Sequence, residues 1–349
     1  MKPALWIAGL IFCGLLSPSL AQQNMLQGTL NAFEVEATLK PDTVLSSPVW
    51  MIRDFEFLDS FIVALTYDRR PDRCSIRLFN SNNHEYEALA LEAKPLGLFR
   101  DVFGQVYLID EQGVYLINSA PLALHALSEK DFFGRIYPLV ARSDSAWFFS
   151  TFLRNRPEFA YLKIHGDTLH TVRDQHLYDL YHSEYTFLPM HQKCALKRRC
   201  AQTGEDRYAL AAEMSGFTQS LWWRAPYSPL FVDGDSVWIA DHYRDSVFIY
   251  HQNGGRITAA PMDFHHDKAY KREILFDPES RVRYARYEHH GRIKLVPLDV
   301  WANAHQPGQA LQHRYVEKLK VYKGKAWYLY RPFESSQNTF LYAEFLGRE

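Results

Sequence analysis

Beyond its N-terminal segment the chain has no second long apolar run, so nothing further along reads as a membrane-spanning helix, which needs about 20 apolar residues. An excess of charge is missing too: 39 Lys and Arg face 40 Asp and Glu, for a formal net charge of −1. That balance argues against a general attraction to nucleic acid or anionic membranes, and no nucleic-acid partner is expected. The strict catalytic signatures are absent: there is no G-x-S-x-G, no H-E-x-x-H, no P-loop and no EF-hand calcium loop. Cysteine is scarce, at four residues. What the chain does have, 47% hydrophobic and 15% aromatic residues, excludes disorder.

The first 21 residues read as a cleaved signal peptide (1–21). Lys2 supplies a positive start, Ala4 to Leu16 an apolar stretch, and Ser19-Leu20-Ala21 a small-x-small cleavage pattern. The expected location is therefore periplasmic or extracellular, with residues 22–349 forming the folded domain.

Within that domain the recurring unit is a short apolar strand, a polar turn and a second apolar strand. In the clearest copy, Leu230-Phe231-Val232 leads through Asp233-Gly234-Asp235 into Ser236-Val237-Trp238-Ile239-Ala240. A second turn, Asp241 to Asp245, is followed by Ser246-Val247-Phe248-Ile249-Tyr250, and Asn253-Gly254-Gly255 closes the unit. Asp-Gly and Asn-Gly favour hairpins because they tolerate positive φ, and β-branched and aromatic residues suit the strands between them. Taking Val63, Tyr107, Phe148, Trp238, Tyr284 and Trp327 as equivalent positions gives intervals of 44, 41, 90, 46 and 43 residues. Repeats of 40–50 residues with about four strands each are propeller blades. If the long interval hides a degenerate copy, with strands at Tyr185–Met190, Tyr208–Ala212 and Ser220–Arg224, the fold is an all-β, single seven-bladed β-propeller. Six blades with one enlarged connection is the alternative. The alternating segment Gly28–Leu39 is expected to close the last blade as an N-terminal strand, removing an open sheet edge.

The blade from Val232 to Tyr250 resembles the NHL-type repeat and also looks like the blades of exported bacterial six- and seven-bladed propellers; the match is good over this blade and looser over the others, although the period covers nearly all of residues 22–349. The resemblance implies a ligand- or protein-binding propeller. It transfers no catalytic residue and no cofactor.

Removal of the first 21 residues would leave Cys74, Cys194 and Cys200. In an oxidising compartment a Cys194–Cys200 disulfide across a hairpin is expected, with Cys74 left over. His265-His266-Asp267 and Glu288-His289-His290 are the densest clusters of metal-ligating types. Neighbouring side chains on a strand face opposite ways, so no metal site is assigned to them.

Antiparallel strand order puts the turns between the second and third strands of every blade, and the blade-to-blade connections, on one face. Arginine recurs there, at Arg69, Arg154, Arg244, Arg292 and Arg331. His242, Tyr243 and His265 join it, with His182, Tyr185 and His266 on the connections. Its planar fork of donors suits carboxylate, sulfate or phosphate. Arg69, Arg154, His242, Tyr243, Arg244, His265 and Arg331 are the candidate ligand-binding residues. Trp147 and Trp222-Trp223 read as packing between blades rather than sugar platforms. The expected function is non-catalytic binding of a protein partner or an anionic glycan. The alternative is a carbohydrate-active enzyme, such as a lyase acting on uronate-containing polysaccharide.

Overall fold

The computed structural model describes residues 41–68, 73–80, 84–152, 158–163, 166–204, 206–217, 226–299, 307–333 and 338–347. These residues form six four-stranded antiparallel sheets. Blade 1 contains β2 (Trp50–Leu58), β3 (Phe61–Asp68), β4 (Cys74–Phe79) and β5 (Glu85–Leu91). Blade 2 contains β6 (Pro95–Arg100), β7 (Val106–Asp110), β8 (Val114–Ser119) and β9 (Leu122–Leu127), and blade 3 β10 (Leu139–Arg142), β11 (Trp147–Phe152), β12 (Glu158–Lys163) and β13 (Thr168–Arg173). Blade 4 contains β14 (Leu230–Asp233), β15 (Ser236–Asp241), β16 (Ser246–His251) and β17 (Arg256–Pro261). Blade 5 contains β18 (Tyr270–Phe276), β19 (Arg283–His289), β20 (Arg292–Leu298) and β21 (Gln309–Arg314). Blade 6 runs β22 (Glu317–Tyr322), β23 (Lys325–Tyr330), β24 (Phe340–Phe345) and then β1 (Asp42–Leu45), which pairs antiparallel with β24.

The sheets stack face to face, and the period-2 alternation of their strands shows why. In β15, Val237 and Ile239 pack toward blade 3, while Trp238 and Ala240 pack toward blade 5. A middle strand is thus apolar on both faces, and every residue of β15 after Ser236 is buried. Comparable clusters join blades 1 and 2 and blades 5 and 6. Blades 2 and 3 meet through Phe103 and Trp147, edge to face at 5.7 Å. The ring closes where Leu45, Ile52, Phe55, Phe57, Tyr322, Leu329 and Leu341 form one cluster across blades 6 and 1, with Phe57 stacked on Tyr322 at 4.3 Å. The six stacked sheets of the described residues, each packed on the next, make this a β-propeller. All six anchor residues of the 40–50-residue period lie on the second strand of a blade. An N-terminal strand closes the last blade, at Asp42–Leu45; the expected segment Gly28–Leu39 and the expected signal peptide lie outside the described residues.

Two expectations are corrected between β13 and β14. That stretch is helical: α1 (Gln175–Phe187), α2 (Met190–Thr203) and α3 (Arg207–Ser215). The strands expected at Tyr185–Met190 and Tyr208–Ala212 are therefore not formed, and Ser220–Arg224 lies outside the described residues. The helices are capped by their own sequence. Asp174 accepts from Leu177 N at 3.1 Å and Asp206 from Tyr208 N at 3.4 Å, while Gly204 and Gly216 end α2 and α3 in the left-handed conformation. Tyr181, Leu177, Ala212 and Phe217 give the helices a core of their own. Cys194 and Cys200 both sit on α2, neither is in a disulfide, and nor is the buried Cys74. Six helical residues rise about 9 Å, beyond the reach of a disulfide.

Candidate functional site

The first strand of each blade lines the ring centre, so residues far apart in sequence meet there. A cavity of about 680 Å³ is lined by Arg100, Asp101 and Gly104 of blade 2, Val140 to Asp144 and Trp147 of blade 3, Leu230 to Val232 of blade 4, and Phe276, Pro278 and Arg281 of blade 5. A second cavity of about 310 Å³ shares Arg100, Asp101, Phe276 and Pro278 with it and adds Glu56, Phe57, Leu319, Lys320 and Tyr322 from blades 1 and 6. Together they touch the innermost strands of all six blades. Many of the lining residues belong to turns between first and second strands, so the mouth opens on the face opposite the expected arginine rim.

The charged residues of this lining are Arg100, Arg142, Arg281 and Lys320 against Glu56, Asp101 and Asp144. Arg100 lies where the two cavities join. Its guanidinium stands over the Tyr322 ring at 5.4 Å, and its buried Nε has no hydrogen-bond partner among the described residues. Gly104, at φ 84°, lets the guanidinium lie close, since a Cβ there would come within 3.3 Å of it. The neighbouring carboxylate directs its oxygens elsewhere. Asp101 accepts from Phe103 N, Gln105 N and the Tyr107 hydroxyl, each at 2.9 Å, so both oxygens serve its own turn. Arg142 stands over the Phe103 ring at 4.7 Å and is exposed to the mouth. Arg281 shares one carboxylate, Asp233, with the buried Arg283, at 3.6 and 3.4 Å, leaving that trio a net positive charge.

Lys320 is bonded to Glu56, the one buried carboxylate of the smaller cavity that no turn consumes. Burial pushes the Glu56 carboxyl above the usual carboxylate range, and the nearby charge of Lys320 opposes this without cancelling it. Trp147, 39% exposed, forms an apolar wall at the larger mouth while also packing on Phe103. It is thus an inter-blade contact, as its strand pattern implied, with one face left to the cavity.

No family model matches the chain, and no curated protein matches it. Among solved structures, it is similar to a streptogramin B lyase at 10% identity, covering 88% of this chain and 97% of that one, with a TM-score of 0.35. It is similar to a putative gluconolactonase at 10% identity, with 89% and 93% covered and a TM-score of 0.41. BamB from Moraxella catarrhalis is 8% identical over 88% and 100%, with a TM-score of 0.30. The site must therefore be read from its own chemistry.

On the opposite face, the structure brings His242 and His265 together at the boundary of blades 4 and 5, their rings 5.2 Å apart, whereas Arg244 lies over Phe248 on the side facing blade 3 and Tyr243 packs against the cluster between blades 3 and 4. Most of their polar atoms are already engaged. His242 bonds Ala240 O at 3.1 Å and the Tyr270 hydroxyl at 2.9 Å, and burial lowers its pKa to about 4. The Tyr243 hydroxyl accepts from Tyr227 N at 3.0 Å and from Arg272 at 2.6 Å. Arg244 lies 3.7 Å from Asp241, and Arg331, two blades away, donates to Glu317 at 2.6 Å. Arg69, Arg154 and Trp222-Trp223 lie outside the described residues. Sequence reasoning missed Arg100, Arg142, Arg281, Lys320 and Glu56, because only ring closure brings them together.

Proposed function

We propose that the chain is a binding propeller that takes an anionic ligand, an acidic oligosaccharide being the class that fits best, into its central cavity outside the cytoplasm. The observation that carries this reading is Arg100, half-buried at the junction of the two cavities with an unpartnered Nε. Arg142 and Arg281 flank the same space. A buried, unsatisfied guanidinium donor costs free energy that a carboxylate or phosphate would recover, and a charge-assisted bond there is stronger than in water. A cavity of about 680 Å³ suits a ligand of a few sugar units rather than a protein surface. The exposed face of Trp147 supplies a plane for an apolar sugar face. The N-terminal segment read as a signal peptide supports the extracytoplasmic placement.

A second reading, an enzyme acting on an acidic carbohydrate, rests on one observation. Glu56, its pKa raised by burial and bonded to Lys320, is the kind of carboxyl that serves as a general acid or base. A binding array of acidic and neutral oligosaccharides, followed by a turnover assay on any hit, separates the readings. Stable binding of acidic members without turnover supports the binding protein. Turnover that Glu56→Gln abolishes supports the enzyme. Equal binding of neutral members, or none of any, contradicts both.

A further inference from the structure

On the face opposite the cavity, the turn from β15 to β16 ends at Asp245, and the connection from β17 to β18 carries the 3-10 turn Phe264–His266. Two adjacent histidines on a strand would diverge. On a 3-10 turn successive side chains are about 120° apart, and here both imidazoles reach one atom. His265 Nε2 lies 2.9 Å and His266 Nε2 3.4 Å from Asp245 Oδ1. The ligating atoms of all three residues lie within 4.8 Å of one another, and the two rings are 4.1 Å apart.

The scaffold holds this arrangement. Met262 N donates to Asp245 O at 2.8 Å, tying the two loops together through the backbone. Phe264 is buried beneath the turn, and its carbonyl accepts from the Tyr287 hydroxyl at 3.2 Å.

We propose that Asp245, His265 and His266 bind a zinc-class divalent cation. Zinc bonds nitrogen and oxygen at about 2.0–2.2 Å, so neighbouring ligand atoms of a tetrahedral site sit about 3.3 Å apart. The 2.9 and 3.4 Å separations bracket that value. Two imidazoles with one carboxylate favour zinc and its transition-metal neighbours over magnesium or calcium, which prefer all-oxygen shells. Binding at His265 Nε2 uses that atom's lone pair, so the metal-bound ring is neutral with its one proton on Nδ1, and the contact to Asp245 gives way to the metal. Asp245 and His266 are exposed, so the remaining coordination position faces solvent and is open to water or an incoming anion. Nearby His242 is not a ligand, since both its nitrogens are committed. The site does not depend on the cavity proposal.

The test is calorimetric titration of the purified full-length protein with Zn2+, and with Co2+ as a spectroscopic probe. Asp245→Gly, which suits the left-handed φ of 48° there, and His266→Ala each remove a ligand at an exposed position. The double variant His289→Ala/His290→Ala alters the other adjacent histidine pair on blade 5 and controls for adventitious binding. The proposal requires one equivalent of Zn2+ bound by the wild type, about 100-fold weaker binding in both ligand variants, and no change in the control. Absence of Zn2+ binding by the wild type, ligand variants that bind as it does, or loss of binding in the control overturns it.

Discussion

Asp277 offers the most calculable test of how one blade is locked to the next. It is fully buried at the end of β18, and its carboxylate accepts four hydrogen bonds. Two come from its own turn: Glu279 N at 3.1 Å and the Ser280 hydroxyl at 2.7 Å. The other two come from the β22–β23 turn of blade 6, from Lys323 N at 3.0 Å and Gly324 N at 2.6 Å. A bond to a charged acceptor contributes about 1.5–3 kcal/mol, and donors that water can reach recover part of the loss. Lys323 is exposed, so Asp277→Ala should cost about 2–4 kcal/mol in total, and Asp277→Asn, which keeps one acceptor oxygen, about half as much. Burial raises the carboxyl's pKa, but the bonds from Gly324, Ser280, Glu279 and Lys323 outweigh it and hold the group below its ordinary 3.8. A depressed folded pKa means the stabilisation is complete above about pH 4 and is lost as pH falls through the folded value. Urea denaturation of wild type and Asp277→Asn at pH 7 and across the acid range measures both effects. The gap in midpoint should narrow in acid. An Asp277→Ala protein within about 0.5 kcal/mol of wild type at pH 7, below the loss of even one such bond, would refute the inter-blade clamp.

Leu45, buried in the closing strand β1, should cost about 2–4 kcal/mol on replacement by alanine, read as a lower urea midpoint, because it sits in the cluster joining blades 6 and 1. Cys194 and Cys200 should both react with alkylating reagent under denaturing, non-reducing conditions, whatever compartment the protein is recovered from. A mapped Cys194–Cys200 peptide would contradict the helix α2. Replacing Tyr181 with alanine should loosen the helices without unfolding the ring, since its cluster is made of helical-segment residues. Hydrogen exchange should then rise across residues 175–217 and stay unchanged in β15.

The blades were legible in the chain because the code for them is local. Asp233-Gly234, flanked by apolar runs, places β14 and β15 within a residue of where they lie, and Trp238 marks the period. The helices were legible too, through Asp174, Gly204, Asp206 and Gly216, all standard cap residues at the right separation. An interval of twice the repeat length points instead to a missing blade. That reading carried the disulfide with it, since a hairpin brings Cys194 and Cys200 together and a helix does not. The cavity is another matter. Glu56, Arg100, Arg142, Arg281 and Lys320 span more than 260 positions and share no motif. Each is an ordinary charged residue on a strand or in the turn beside one, and its role emerges only when the first strands of the blades surround one axis. The arginine rim followed from recurrence at equivalent turns, a real regularity, yet recurrence does not show which side chains keep unpaired donors. The same limit hid the His265–His266 convergence, which depends on a single turn of 3-10 helix.

The central claim is that an anionic ligand binds at Arg100 in the ring centre. The direct measurement is the affinity of the best acidic oligosaccharide for wild type, Arg100→Ala, Arg142→Ala and the opposite-face variant Arg244→Ala, at low and physiological salt. The account predicts that Arg100→Ala and Arg142→Ala each weaken binding by about 1.5–3 kcal/mol, that Arg244→Ala leaves it unchanged, and that added salt weakens the wild type. Unchanged affinity in both cavity variants, or loss confined to Arg244→Ala, would contradict it and move the site to the opposite rim.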